Sequence, residues 1–141
     1  MLKPYVCVAC EKVIIAKDEV ASLISLFSKF VLAVPAGTEI PKNAVTPALW
    51  SVFSMWDPEP GDEHRHYVLC TQLLYPDDAP YDVIARQEMP IQAGARCQMS
   101  VQFNGFPIGQ TGEYKVHTWL EEDGQKVFGP IVVGVGVEIK H

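Results

Sequence analysis

The sequence predicts an all-β fold: an antiparallel β-sandwich of about eight strands, built as a single domain over residues 1–141. Three observations carry this expectation. Apolar residues come in short runs. Eleven prolines and ten glycines punctuate the chain, at roughly the 8–12-residue spacing of sandwiches and barrels. Two segments, 97–106 and 113–121, alternate apolar and polar residues, which is the pattern of strands with one buried face.

Taken in order, PYVCVAC (4–10) alternates weakly and KVII (12–15) continues it as a buried-strand run, until Lys17-Asp18-Glu19 breaks it. Residues 20–34 fit two descriptions. Serines at 22, 25 and 28, with apolar residues at 20, 23, 24, 27, 30, 31 and 34, give helix spacing. The β-branched and aromatic content of the same stretch suits two consecutive strands. PAGTEIPKNAVTP (35–47) reads as a loop crossing between sheets. ALWSVFSMW (48–56) is an aromatic strand in which Trp50 and Trp56 share a face and Phe53 takes the other. HYVLCTQLLY (66–75) and ARQEMPI (85–91) are further strands. In CQMSVQFNGF (97–106), Met99, Val101 and Phe103 oppose Gln98, Ser100, Gln102 and Asn104. GFPIGQTG (105–112) is a loop without the Lys-Ser/Thr ending of a phosphate loop. In EYKVHTWLE (113–121), Tyr114, Val116, Thr118 and Leu120 oppose Glu113, Lys115, His117, Trp119 and Glu121. Asp123-Gly124 marks a tight turn, and KVF and IVVGVGVEIK finish the chain.

Charge and composition exclude several functions. The net charge is -6, with 17 acids against 11 scattered basic residues. A basic stripe, the footprint of nucleic-acid binders, is missing, so neither nucleic acid nor an anionic membrane is expected as a partner. The apolar run at the N-terminus is interrupted by Glu11 and Lys12, too early for an export signal. ASLISLFSKFVLAV (21–34) is too short and too polar for a membrane span. Four cysteines, at 7, 10, 70 and 97, are then expected to be free thiols in a reducing cytoplasm.

Three stretches carry a resemblance. CEKVIIAKDEVASLISLFSKF (10–30), EIPKNAVTPALWSVFSMW (39–56) and GEYKVHTWLEEDGQKVFGPI (112–131) resemble a family of small uncharacterised bacterial proteins, known as a domain of unknown function. The resemblance covers most of the chain. It implies a compact, immunoglobulin-like β-sandwich and strand rather than helix over 20–34, and it implies no activity. Gly112-Glu113-Tyr114 before an alternating strand also resembles the tyrosine corner of immunoglobulin-like domains, where the hydroxyl pins a chain crossing. A merely buried tyrosine fits the same residues.

Several candidate sites can be weighed on the residues alone. Cys7 and Cys10 form C-x-x-C, but on a strand positions i and i+3 point to opposite faces, and Cys70 and Cys97 supply no second pair for zinc. WDPEPGDEHRHY (56–67) gathers Asp57, Glu59, Asp62 and Glu63 before His64 and His66. If a strand already runs at 64, the two imidazoles point the same way, and Asp62 offers a third ligand for a metal-binding enzyme or sensor. Calcium on this loop lacks the EF-hand spacing. Counting strand reversals sets loop 57–63 at the same end as the turns near 92–96 and 121–124, away from the acidic loop PDDAPYD (76–82). No G-x-S-x-G elbow or nucleophile–base pair is present. Trp119 falls on the polar side of its strand with Lys115 and His117, so either another element covers that side or Trp119 is an exposed interface anchor. The expected function is therefore a non-catalytic protein-interaction or assembly module with no cofactor. It would bind a protein partner or a second copy of itself, at Trp119, His117 and Lys115. The metal reading on His64, His66 and Asp62 is the alternative.

Overall fold

Every residue except Ala16, Asp18, Glu19 and Phe27 is described by the computed structural model. Among the described residues nine strands form: β1 (Lys3–Ile15), β2 (Ala21–Leu26), β3 (Lys29–Ala33), β4 (Val45–Asp57), β5 (Tyr67–Leu74), β6 (Ala85–Glu88), β7 (Cys97–Pro107), β8 (Gly112–Glu122) and β9 (Gln125–Lys140). They make a β-sandwich of two sheets, one in the order β2-β1-β4-β7 and one in the order β3-β9-β8-β5-β6. All pairings are antiparallel except β3 with β9, which runs parallel.

The count exceeds the expected eight because the described residues of 20–34 hold two strands and no helix. Their serine period is helical, but β1 and β9 each offer a main-chain edge, and branched and aromatic side chains suit a pleated surface. The chain therefore pairs with the first sheet as β2 and with the second as β3. Phe27 of the helix-like spacing, and Asp18 and Glu19 of the preceding break, lie outside the described residues. The 35–47 stretch carries the chain back to the first sheet, as expected, although β4 already begins at Val45.

Alternation decides what is buried. Trp50 and Val52 enter one core cluster with Leu73, Phe106, Tyr114, Val116, Val135 and Val137. Trp56 enters a second with Leu2, Tyr67, Leu69, Met99, Val101 and Leu120. Phe103 packs against both. Near the junction lie small polar groups: Ser54, paired with Cys7, and the cross-strand pair Thr71 and Thr118. The Thr71 hydroxyl is buried without a hydrogen-bond partner.

Tyr114 behaves as a pin. Its hydroxyl donates to the Gln110 carbonyl and accepts from the Gln110 N–H, both at 3.1 Å, fixing the crossing from β7 to β8. At the end of β7, Gly105 has φ +88° and a Cβ there would lie 2.6 Å from Val45 Cγ1. Its carbonyl accepts the Trp50 indole N–H at 2.8 Å. The Asp123-Gly124 turn has positive φ at both residues, 53° and 77°, as a type I′ hairpin requires.

The β1–β2 hairpin does not stay in the plane of its sheet. Pro4, Trp56 and Cys97 lie in one row across β1, β4 and β7. Ile15 is eleven residues beyond Pro4 (15 − 4), so a straight strand would carry it about 36 Å away at ~3.3 Å per residue. Instead Ile15 lines a cavity of about 210 Å³ with Pro90, Gln92, Arg96, Cys97 and Gln98. The hairpin therefore folds back across the outside of the four-stranded sheet. This accounts for Phe53, which alternates away from the inter-sheet core yet is only 1% exposed.

Candidate functional site

Three surfaces come from the sequence pattern and its departures: the Trp119 side of β8, the loop before β5, and the outside of the first hairpin.

On β8, Lys115, His117 and Trp119 do share the outer face of the five-stranded sheet, opposite Leu74, Gln72 and Cys70 of β5. Trp119 is not an exposed anchor, however: it is 6% accessible. Its indole N–H donates to Glu121 Oε2 at 2.9 Å, and the Lys126 ammonium sits 5.0 Å from the ring centre. Strand β9 presses close because Gly129, at φ +98°, carries no side chain; a Cβ there would lie 3.0 Å from Trp119 Cβ. The covering element that the polar neighbours of Trp119 called for is thus β9 and its own flank. Beneath this patch Cys70 is fully buried, and burial, then the Glu121 carboxylate, pushes its thiol up to about 11. Lys115 is tied to Asp78, and burial lowers the pKa of half-buried His117, keeping it neutral.

The 57–66 loop is a structural connection. Asp62 is buried: its Oδ2 accepts the Glu59 N–H at 2.8 Å and its Oδ1 accepts the Tyr67 hydroxyl at 3.1 Å. Desolvation and the Asp62 carboxylate push Tyr67 up to about 12. Glu59 takes the Met1 ammonium at 2.7 Å and Lys3 at 2.9 Å, which hold its carboxyl at about 2. Arg65 clasps Glu122 through Nε at 2.7 Å, and Arg96 meets Asp57 at 2.7 Å. These pairs bear out the strand-reversal count that set the loop beside the 92–96 and 121–124 turns. His64 and His66 are exposed, and the condition for their acting together fails. Residues 62–64 form a single 3-10 turn and β5 begins only at Tyr67. Among the described residues no three His, Cys, Asp or Glu side chains are grouped to hold an ion. Likewise Cys7 packs in the core while Cys10 falls on the other side of β1.

The third surface was not legible from alternation. Within the folded-back hairpin, Val13 pairs with Leu23 and Ile15 with Ala21. Val13, Leu23 and Ala21 are half-buried. On the opposite side Lys12 pairs with Ile24 and Ile14 with Ser22, and these face solvent. Ile14 is 43%, Ile24 42%, Val20 58% and Leu26 62% exposed. Leu26 also borders a shallow cleft of about 190 Å³ with Val8, Ser28, Val133 and Gly134. The sequence signal was present in one form: 20–28 is apolar and serine-rich with no charge. Neither the helix nor the strand description of 20–34 says which of its residues face solvent. No helix among the described residues is long and apolar enough to cross a membrane.

Comparison with protein-family models gives no match to this chain, nor does a search of curated proteins.

Proposed function

We propose that this chain is a non-catalytic interaction module of immunoglobulin-like fold, acting in the cytoplasm by binding protein through the exposed side of its β1–β2 hairpin. One observation carries the reading: Ile14, Val20, Ile24 and Leu26 stand together on one short hairpin, each more than two-fifths exposed. Scattered exposed aliphatics need no explanation, but a contiguous group marks a contact surface. The immunoglobulin-like assignment is supported by the Tyr114 pin before β8. Four free cysteines suit a reducing compartment. The β8 trio becomes secondary, because Trp119 and Lys115 already have partners within the chain.

The test is affinity capture with the wild type, Ile14→Lys and Leu26→Glu, with His64→Ala as a surface control. Both hairpin variants are expected to fold, since each changed side chain is exposed, and to lose bound protein that the control retains. Unchanged capture by both hairpin variants would overturn the reading.

A further inference from the structure

The first hairpin meets the rest of its sheet at one level. From Lys3 to Cys10, β1 pairs with β4, and from Cys10 onward it pairs with β2. Among the described residues Cys10 alone pairs on both sides, with Ser51 and with Leu26. Beyond it the two strands of the hairpin pair only with each other. The next residue of β2, Ser25, stands between the partners of Cys10 and Lys12 and so faces Glu11. Its φ is 55°, in the left-handed region that strands do not use and that residues with side chains enter at a cost. The break in the pleat and the end of the sheet pairing coincide.

Past this point the hairpin lies back over the outer side of β4, packed there by its side chains. Its underside, Val13, Ala21 and Leu23, is half-buried. Beneath it Phe53 is 1% exposed, and Cys10, in the crease on the outer side of β1, is 0% exposed. The outer strip of β4 thus has the burial of a core under a cover that is itself half open. The far end is poorly sealed: Ile15 stays 49% exposed, and an open gap of about 210 Å³ separates it from Pro90, Arg96 and Gln98. Such a gap forfeits the dispersion contacts that would hold its walls together. Elements packed in this way open at a lower free energy than the whole fold.

We propose that the β1–β2 hairpin is a hinged flap: it lifts about Cys10 and Ser25 while the sandwich stays folded, and when closed it is an autoinhibitory cover over an apolar strip of its own sheet. Lifting bares Phe53 and its cross-strand neighbour Val8, together with Val13 and Leu23 of the underside. The movement needs no partner. It therefore stands apart from the reading of the hairpin's outer side as a protein-binding surface, and failure of that reading would leave it intact.

Alkylation of the native chain by iodoacetamide, with each cysteine followed by mass spectrometry, tests this. Cys10 and Cys70, which lies in the other sheet, are both 0% exposed. Each rate is taken relative to the same cysteine in the urea-unfolded chain, so that differences in thiol reactivity cancel. The flap should make Cys10 label roughly tenfold faster than Cys70, or more. Access only through unfolding of the whole molecule would label the two at one rate and overturn the proposal. Leu23→Ala, which removes packing from the underside, should speed Cys10 about fivefold and leave Cys70 unchanged. Ile24→Ala, one residue along on the solvent side, should leave both rates within about twofold. Ser25→Val puts a branched side chain at positive φ and should speed Cys10 as well. Equal Cys10 rates in Leu23→Ala and Ile24→Ala, or no response to Ser25→Val, also overturn the flap. A variant that fails to fold is recognised by its raised Cys70 rate, and the wild-type comparison then decides alone.

Discussion

At the scale of single residues, the polar groups inside the sandwich set the most direct tests. The Thr71 hydroxyl lies buried with no partner, and an unmet buried hydroxyl costs about 1–3 kcal/mol. Thr71→Val keeps the shape and removes the cost, so it should raise unfolding stability by ~1 kcal/mol in urea titration. Asp62 is the opposite case, because its two oxygens satisfy a backbone N–H and a buried tyrosine. Asp62→Ala should lose about 2 kcal/mol. Glu59 gives a pH signature. Its folded pKa is lowered from 4.5 to about 2 by the Met1 ammonium and Lys3. A lowered carboxylate stabilises the fold above its unfolded pKa and loses that contribution as pH falls through the folded one. Stability should therefore decline between 4.5 and about 2, and Glu59→Gln should flatten that limb in acid titration. Asp62 shows what sequence reading could not reach. Its placement in an acid-rich loop before two histidines suggests a metal ligand, while its actual task depends on a tyrosine hydroxyl whose direction only the folded chain defines.

At the scale of elements, alternation was a reliable guide wherever a strand stays flat. The two sides of β7 and β8, and the division of Trp50 and Trp56 from Phe53, follow from period two alone. It failed where one element lies over another. Trp119 sits among polar neighbours but is covered by β9, because a glycine at 129 lets that strand approach. The first hairpin reads as core and is instead half surface, because it folds back over its own sheet. The tyrosine pin between β7 and β8 is the element-scale test. Tyr114→Phe removes both bonds to Gln110 and should cost ~1 kcal/mol while leaving far-UV circular dichroism unchanged.

For the molecule as a whole, the two core clusters raise the question of whether it unfolds in parts. Strands β4, β5, β7 and β8 contribute to both clusters, and Phe103 touches each. One cooperative transition is therefore expected, with tryptophan fluorescence and far-UV circular dichroism melting together; separate midpoints would show two units. The sandwich was legible from turn spacing, because frequent breaks between short apolar runs mark the ends of strands. The partner surface was not, since exposure is a property of the assembled sheets. The direct step from β2 into β3 has a mechanical meaning of its own. Between Leu26 and Lys29 only two residues join the two sheets, and the Gly136 N–H bonds to the Ser28 carbonyl across that join. On the far side β6 and β7 are linked by the longer stretch 89–96. Of the links between the sheets the β2–β3 step is the shortest, the β7–β8 link over 108–111 being next, so the β2–β3 margin is the spine of a book. Thermal breathing should part its pages at the β6–β7 fore-edge first, admitting water to Met99 and Leu69 long before the spine loosens.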